Sequence, residues 1–423
     1  MSRIRDRLLP LLMYGRAGHG RIVVVAAFTL YVAVVALLRR LASIDIWPQL
    51  GVPVGPSTFF DARNVMAALE CRRQGFDPLI ENPCDPWDRP IVYPRPWLLL
   101  RFFGLDQSDT TLFALVAIAL FVGAYLWILG PISTGEGVIA ALALCSPAVM
   151  LAIERANMDI VVFAILVLAV MAWESSSRLL KMASPGVVLL AALAKVYPVF
   201  GLGGYLASRN RRPMVVAVGC GAAFLLWVVA TRDDIRALAD RAPQGEYYSY
   251  GARILLSRGF RVFAPQGWEG SQIATQVVAA AIVLLLAAGG WFWVRSRVLV
   301  ASQNLDGSAL AFYIGSLVFL GTFVIGNNFD YRLVFVLACL PQLFTLAKSE
   351  DDPRNALGAT ALVTIVVLLW TGALSPYVAA LDEVVSWSVA ALLFALVAAS
   401  TPSPATICHS LLGSDRRAQA ERQ

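Results

Sequence analysis

The chain has 423 residues, 58% hydrophobic and only 15% charged, with a mean hydropathy of +0.69. A soluble domain of this length carries more charge and shorter apolar runs, so the composition excludes one and points to a polytopic membrane protein. The net charge of +6 sits in terminal and loop clusters of arginine. No polar domain interleaves aromatic and basic residues, so the charge reads as topology and nucleic acid is excluded as a partner.

Arg3, Arg5, Arg7, Arg16 and Arg21 precede the first apolar run, "IVVVAAFTLYVAVVALL". That run continues into Arg39 and Arg40 without a small-residue cleavage site, so it reads as a retained membrane helix and not a signal peptide. Further apolar segments occupy 110–130, 136–153, 157–173, 186–206, 213–230, 272–293, 309–325, 330–346, 357–374 and 384–399. Several approach the ~20 apolar residues that cross a bilayer. The pattern predicts a single all-α membrane domain over 1–423, a bundle of about eleven or twelve transmembrane helices. Two long polar insertions interrupt it, at 39–109 and 231–271, each expected to carry interfacial helices.

Basic residues in short loops mark the cytoplasmic side. Arg209, Arg211 and Arg212 form one such cluster, Arg295 and Arg297 a second, and Arg416, Arg417 and Arg422 a third. The expected topology therefore has residues 1–21 and 400–423 in the cytoplasm and both insertions outside the cytoplasmic membrane. Segment 186–206 is flanked by cations on both sides, Arg178 and Lys181 before it and Arg209–Arg212 after it. A straight helix cannot start and end on one side; a hairpin can. Its tip falls at "KVYP", residues 195–198, where Pro198 lacks an N–H and disfavours helix at Tyr197. Irregular backbone at membrane depth is tolerated where it is buried in protein or lines a wet cavity. Lys195, one of three lysines, then points into a polar cavity that opens outward. The other reading is a plain spanning helix with Lys195 paired inside the bundle. The hairpin places "ERANMD" (154–159), "YPRPWLLLRFFGL" and "NNFDYR" (327–332) on one outer face.

The first insertion holds "FFDARNVMAALECRRQGFDP". Asp61 heads an amphipathic pattern, where Asp commonly caps a helix; the functional reading is a general base at the membrane surface. Asp77, Asp85 and Asp88 read as turn residues, with Asp88–Arg89 a surface pair. Glu154, Arg155, Asn157 and Asp159 bridge two apolar runs almost without a spacer. Ionisable groups so close to the bilayer are functional or paired with one another. Asp330 either caps the following helix or contributes to a site. Arg332 presents a guanidinium suited to bidentate grip of a phosphate, and Lys195 adds a point charge. In the second insertion, Arg253 and Arg258 are placed to reach phosphate, although an interfacial helix explains that composition as well.

Cys71 and Cys84 share the first insertion, as a disulfide or as two free thiols. Cys145, Cys220 and Cys339 lie in apolar runs and Cys408 just past the last one, which reads as packing. The two histidines, His19 and His409, argue against zinc; a divalent metal held by carboxylates stays open.

An acidic residue after the first helix, then "GFDP" and "YPRP", resembles the first outer loop of the GT-C superfamily of integral-membrane glycosyltransferases. "SPAVMLAIERANMD" resembles the R-G-N segment of the GPI mannosyltransferase I type, with Ala156 in place of the usual Gly. "ALAKVYPVF" resembles its K-x-Y-P segment, and "NNFDYR" resembles the N-x-D-Y-R segment of glycosyltransferase family 87. These matches fall in order over 61–332. They imply a GT-C-like bundle and an inverting transfer of a hexose, mannose or a similar sugar, from a polyprenyl-phosphate donor to a glycan or lipid acceptor. Asp61 would be the base. Lys195, Tyr197, Arg332, Asp330, Arg155 and Asn157 would form the substrate and phosphate site. Membrane lipids are the other partner. The alternative is a transporter or flippase of a lipid-linked or anionic substrate, because a broken helix and an intramembrane cation also occur in transporters.

Overall fold

The computed structural model describes residues 18–41, 46–208, 210–241, 248–252, 305–374 and 381–401, with a few isolated positions between 254 and 288. Arg253, Arg258, Cys408, His409, Arg3, Arg5, Arg7 and Arg16, the C-terminal basic cluster, the Arg295 loop and most of segment 272–293 lie outside the described residues.

The protein is an all-α polytopic membrane protein. Its α-helices in chain order are α1 (Gly20–Leu41), α2 (Phe60–Arg73), α3 (Thr110–Leu129), α4 (Thr134–Leu144), α5 (Pro147–Arg155), α6 (Met158–Glu174) and α7 (Arg178–Ala194), then α8 (Arg211–Ala230), α9 (Arg232–Arg241), α10 (Gly307–Ile325), α11 (Leu340–Ala347), α12 (Asp352–Leu374) and α13 (Leu381–Ser400). Long 3₁₀ segments run over Arg95–Phe103, Tyr197–Ala207 and Asp330–Cys339. Among the described residues the strands are one antiparallel pair, β1 (Ser249–Tyr250) with β2 (Asn328–Phe329).

Among the described residues, seven helical stretches are long and apolar enough to cross a bilayer, or eight if α4 and α5 form one span bent by 55°. Of the remaining expected segments, 272–293 lies mostly outside the described residues, 186–206 belongs to a hairpin, and 157–173 is α6, whose 17 residues make roughly 25 Å of helix. The bend falls where Cys145 ends α4 and Ser146 caps α5 before Pro147.

Segment 178–207 is a hairpin. The Ser184 hydroxyl bonds the Tyr205 hydroxyl at 2.5 Å, and Gly201 lies against Val188. The two arms therefore run back along each other from a tip at Lys195. The break differs in detail from the expectation. The extended residue is Lys195 itself (φ −151°, ψ 125°), and Tyr197 already opens the 3₁₀ arm.

The first insertion has its own small core. Ala62, Val65, Met66 and Leu69 of α2 pack with Leu79, Ile91, Tyr93 and Trp97, and this cluster reaches Ala156 and Met158 of the bundle. A Cys71–Cys84 disulfide links the end of α2 to the following loop, with 5.5 Å between the Cα atoms. Asp77 and Asp85 are turn residues, accepting from the Leu79 and Trp87 N–H groups. Arg89 pairs with Asp85 at 2.8 Å rather than with Asp88, because only Asp85 lies one turn back and inward. Arg95 bonds both Asp77 and Asp234 of α9, so it ties the two insertions together.

The helices deliver these parts to one end. α6 and α7 reach it at Asn157 and Lys195, and β2 brings the 327–332 motif there by pairing with the second insertion. The opposite end holds the Glu136–Lys348 ion pair, at 2.6 Å, and Glu174 against Gly307.

Candidate functional site

Asp61 sits in the first turn of α2 without capping it. The cap position is Phe59, in the left-handed region with φ 57°, and no side chain bonds the helix end there. The Phe59 N–H donates to the Glu154 carbonyl at 3.0 Å, which fixes the start of α2 against the end of α5. The Asp61 carboxylate is thus free of helix-capping duty. It accepts from Asn157 Nδ2 at 2.6 Å and faces Arg155 Nη1 at 3.6 Å.

Asn157 holds four groups at once. Its Oδ1 accepts from the Asp159 backbone N–H at 3.0 Å, capping α6, and also from Lys195 Nζ at 2.9 Å. Its Nδ2 serves Asp61 and contacts the Tyr93 hydroxyl at 3.3 Å. The geometry depends on Ala156, whose left-handed φ of 44° ends α5 and turns the chain into α6.

Lys195 is 7% exposed and donates to Asp159 Oδ1 at 2.5 Å. Tyr197 donates to the same carboxylate oxygen. The ammonium also lies 5.1 Å from the Tyr93 ring and 5.5 Å from the Tyr331 ring, a partial aromatic cage favourable to a cation. The tip is held in place by Trp97, whose Nε1 donates to the Ala194 carbonyl at 2.8 Å.

Arg332 donates to Asn328 Oδ1, and its guanidinium lies 4.9 Å from the centre of the Tyr197 ring. Among the described residues, the buried Nε–H groups of Arg155 and Arg332 have no hydrogen-bond acceptor. Such orphaned donors are costly, and at a polar site they fit an anionic ligand. Asp330 stands apart from this group. It is the first residue of its 3₁₀ segment without capping it, is 6% exposed, and lies within electrostatic range of Asp382 rather than in the Asp61 cluster.

Six of the seven expected site residues therefore converge: Asp61, Arg155, Asn157, Lys195, Tyr197 and Arg332. The pairing differs from a local Glu154–Arg155–Asp159 cluster, because Arg155 turns to Asp61 and Asp159 turns to Lys195. Asp159, Tyr93 and Tyr331 belong to the site as well. Asp159 was legible as a charge beside an apolar run; the two tyrosines were not, since tyrosine is common near membrane interfaces. The converging residues bring together two carboxylates, Asp61 and Asp159, and three cations, Arg155, Lys195 and Arg332. Among the described residues no group of three or more His, Cys, Asp or Glu side chains is arranged to hold a metal ion.

No protein-family model matches the chain, and neither the curated proteins nor the solved structures contain a match.

Proposed function

We propose that the protein is an inverting glycosyltransferase. It moves a hexose, with mannose the sugar implied by the sequence resemblance, from a polyprenyl-phosphate donor to a glycan or lipid acceptor. The transfer takes place on the outer face of the cytoplasmic membrane, with both chain termini in the cytoplasm. The observation that carries this reading is the Asp61 carboxylate adjoining a cationic cluster whose two arginines retain, among the described residues, orphaned donors.

Asp61 takes the proton of the acceptor hydroxyl as its oxygen attacks the anomeric carbon from the face opposite the leaving group. The bond between that carbon and the phosphate oxygen breaks. The electron pair leaves on polyprenyl phosphate, whose charge is met by Arg155, Arg332 and Lys195. Fixed cations beside a low-dielectric wall stabilise such a leaving group without reorganising. Asn157 and Arg155 orient the base, and the Lys195–Asp159–Tyr197 group sets the position of the hairpin tip. No step requires a metal.

Membranes containing wild type or Asp61→Asn at matched expression test this with a panel of radiolabelled polyprenyl-phosphate sugars. Wild type should transfer label, and Asp61→Asn should fall about 10²–10⁴-fold while folding normally. Equal transfer by the two would sink the mechanism. The broken hairpin at Lys195 favours one other reading, a transporter of an anionic lipid-linked substrate. That protein would move label across the membrane without forming a new glycosidic bond and would be indifferent to Asp61→Asn.

A further inference from the structure

A second basic site lies on the flank of the first insertion. Arg72 and Arg73 close α2, and Arg101 comes from the 3₁₀ segment Arg95–Phe103. With Gly75 and Phe102 these residues line a shallow cavity of about 540 Å³. Arg72 Nη1 donates to the Phe76 carbonyl at 3.3 Å and Arg73 Nη1 to the Leu105 carbonyl at 2.7 Å, so both guanidinium groups are held at the cavity. Arg101 lies over the Phe102 ring at 4.8 Å. Asp77 and Asp106 stand near enough to Arg72 and Arg73 to be felt electrostatically. Among the described residues none of the three arginines has a salt-bridge partner.

What covers the cavity follows from its neighbours. Leu99, Phe102 and Phe103 are 59%, 73% and 77% exposed, whereas Trp97 and Leu98 are buried. Residues three apart eclipse one another on a 3₁₀ helix, so Leu99 and Phe102 form one apolar ridge with Phe103 beside it. A ridge of this kind on a membrane protein is an interfacial element, sunk into the boundary between headgroups and acyl chains. A basic side chain next to it reaches headgroup height.

We propose that Arg72, Arg73 and Arg101 bind the phosphate of an anionic phospholipid headgroup while Leu99, Phe102 and Phe103 lie against its acyl chains. The site docks the first insertion, and with it α2 and Asp61, onto the bilayer surface. It is independent of the proposed glycosyl transfer.

The full-length protein, reconstituted in phosphatidylcholine vesicles containing a trace of photoreactive phosphatidylglycerol, provides the test. Crosslinks are mapped by peptide mass spectrometry. Phosphatidylglycerol should label residues 72–76 and Arg101 several-fold more than a photoreactive phosphatidylcholine, whose acyl chains reach only the ridge of Leu99, Phe102 and Phe103. Each basic group near an anionic surface contributes on the order of fivefold in affinity. Arg101→Gln, which removes no backbone hydrogen bond, should therefore weaken capture about fivefold, and Arg72→Gln/Arg73→Gln/Arg101→Gln on the order of a hundredfold. Labelling elsewhere on the chain should stay constant, which controls for folding. Equal labelling by phosphatidylcholine, or full labelling of the Arg101→Gln variant, overturns the proposal. So does displacement of the probe by inorganic phosphate as readily as by unlabelled phosphatidylglycerol, which would make the site one for free phosphate.

Discussion

The Asn157 amide donates to the Asp61 carboxylate at 2.6 Å, joining residues 96 apart in sequence. The same side chain caps α6 and accepts from Lys195. One asparagine thus sets the distance between the acidic first insertion and the cationic hairpin tip.

That double role can be separated by substitution. Serine keeps an N-cap oxygen but has no amide to reach Asp61. Asn157→Ser should stay within about 1 kcal/mol of wild type in stability, yet lower transfer substantially by leaving Asp61 misoriented. Asn157→Ala should lose the cap as well, costing about 1 kcal/mol more. Thermal unfolding in detergent, run beside the transfer assay, reads both. Equal stability and full transfer by Asn157→Ser would show that the amide only packs.

The Lys195–Asp159 pair is buried, so breaking one half should be worse than replacing both. Lys195→Ala leaves the Asp159 carboxylate with Tyr197 and no cation, an expected loss of about 3–5 kcal/mol. Lys195→Met combined with Asp159→Leu should recover most of that stability. The double variant should remain inactive, because the leaving group loses a cation. A double variant no more stable than Lys195→Ala, judged by thermal unfolding, would mean that the contacts of Lys195 with Asn157 and of Asp159 with Tyr197 hold the tip, and not the charge pair.

Ala156 carries a left-handed φ of 44° in a fully buried position. Left-handed backbone costs a non-glycine residue about 1–2 kcal/mol, and a buried methyl contributes about 0.8 kcal/mol of burial in return. Ala156→Gly should therefore lie within about 1 kcal/mol of wild type. Ala156→Val adds β-branching and volume where neither fits, and should cost more than about 2 kcal/mol. Comparable melting temperatures for the two variants would contradict the backbone geometry.

Asp85 sets a pH dependence for the first insertion. Burial opposes its ionisation, but hydrogen bonds from Arg89, Asn64 and the Trp87 N–H outweigh that and hold its carboxyl below the usual 3.8. The native group thus protonates at lower pH than the unfolded one. Its stabilisation is complete above 3.8 and is lost as pH falls below that value through the lower native pKa. Thermal unfolding of the full chain should show stability falling on acidification below this point, with a shallower slope in Asp85→Asn. An identical slope in the variant would assign the acid sensitivity to other carboxylates.

The sequence by itself determined the membrane class, the positions of most helices and the break at Lys195. Each of these rests on local physics: apolar length, cation placement and the backbone limits of proline. It also brought forward six of the converging side chains, because a charge beside an apolar run is expensive without a purpose. Only the tertiary structure decided how those charges pair. Asp61 proved to be bonded to Asn157 and not a helix cap, Arg155 turned to it, and Asp159 became the partner of Lys195. Asp330, equally prominent in sequence, lies buried within electrostatic range of Asp382. The Cys71–Cys84 disulfide and the aromatic walls from Tyr93 and Tyr331 were likewise settled in three dimensions. The physical reason is common to all of them. Which polar groups meet depends on helix rotation and on the approach of segments about a hundred residues apart, and hydropathy, a sum along the chain, carries no information about either.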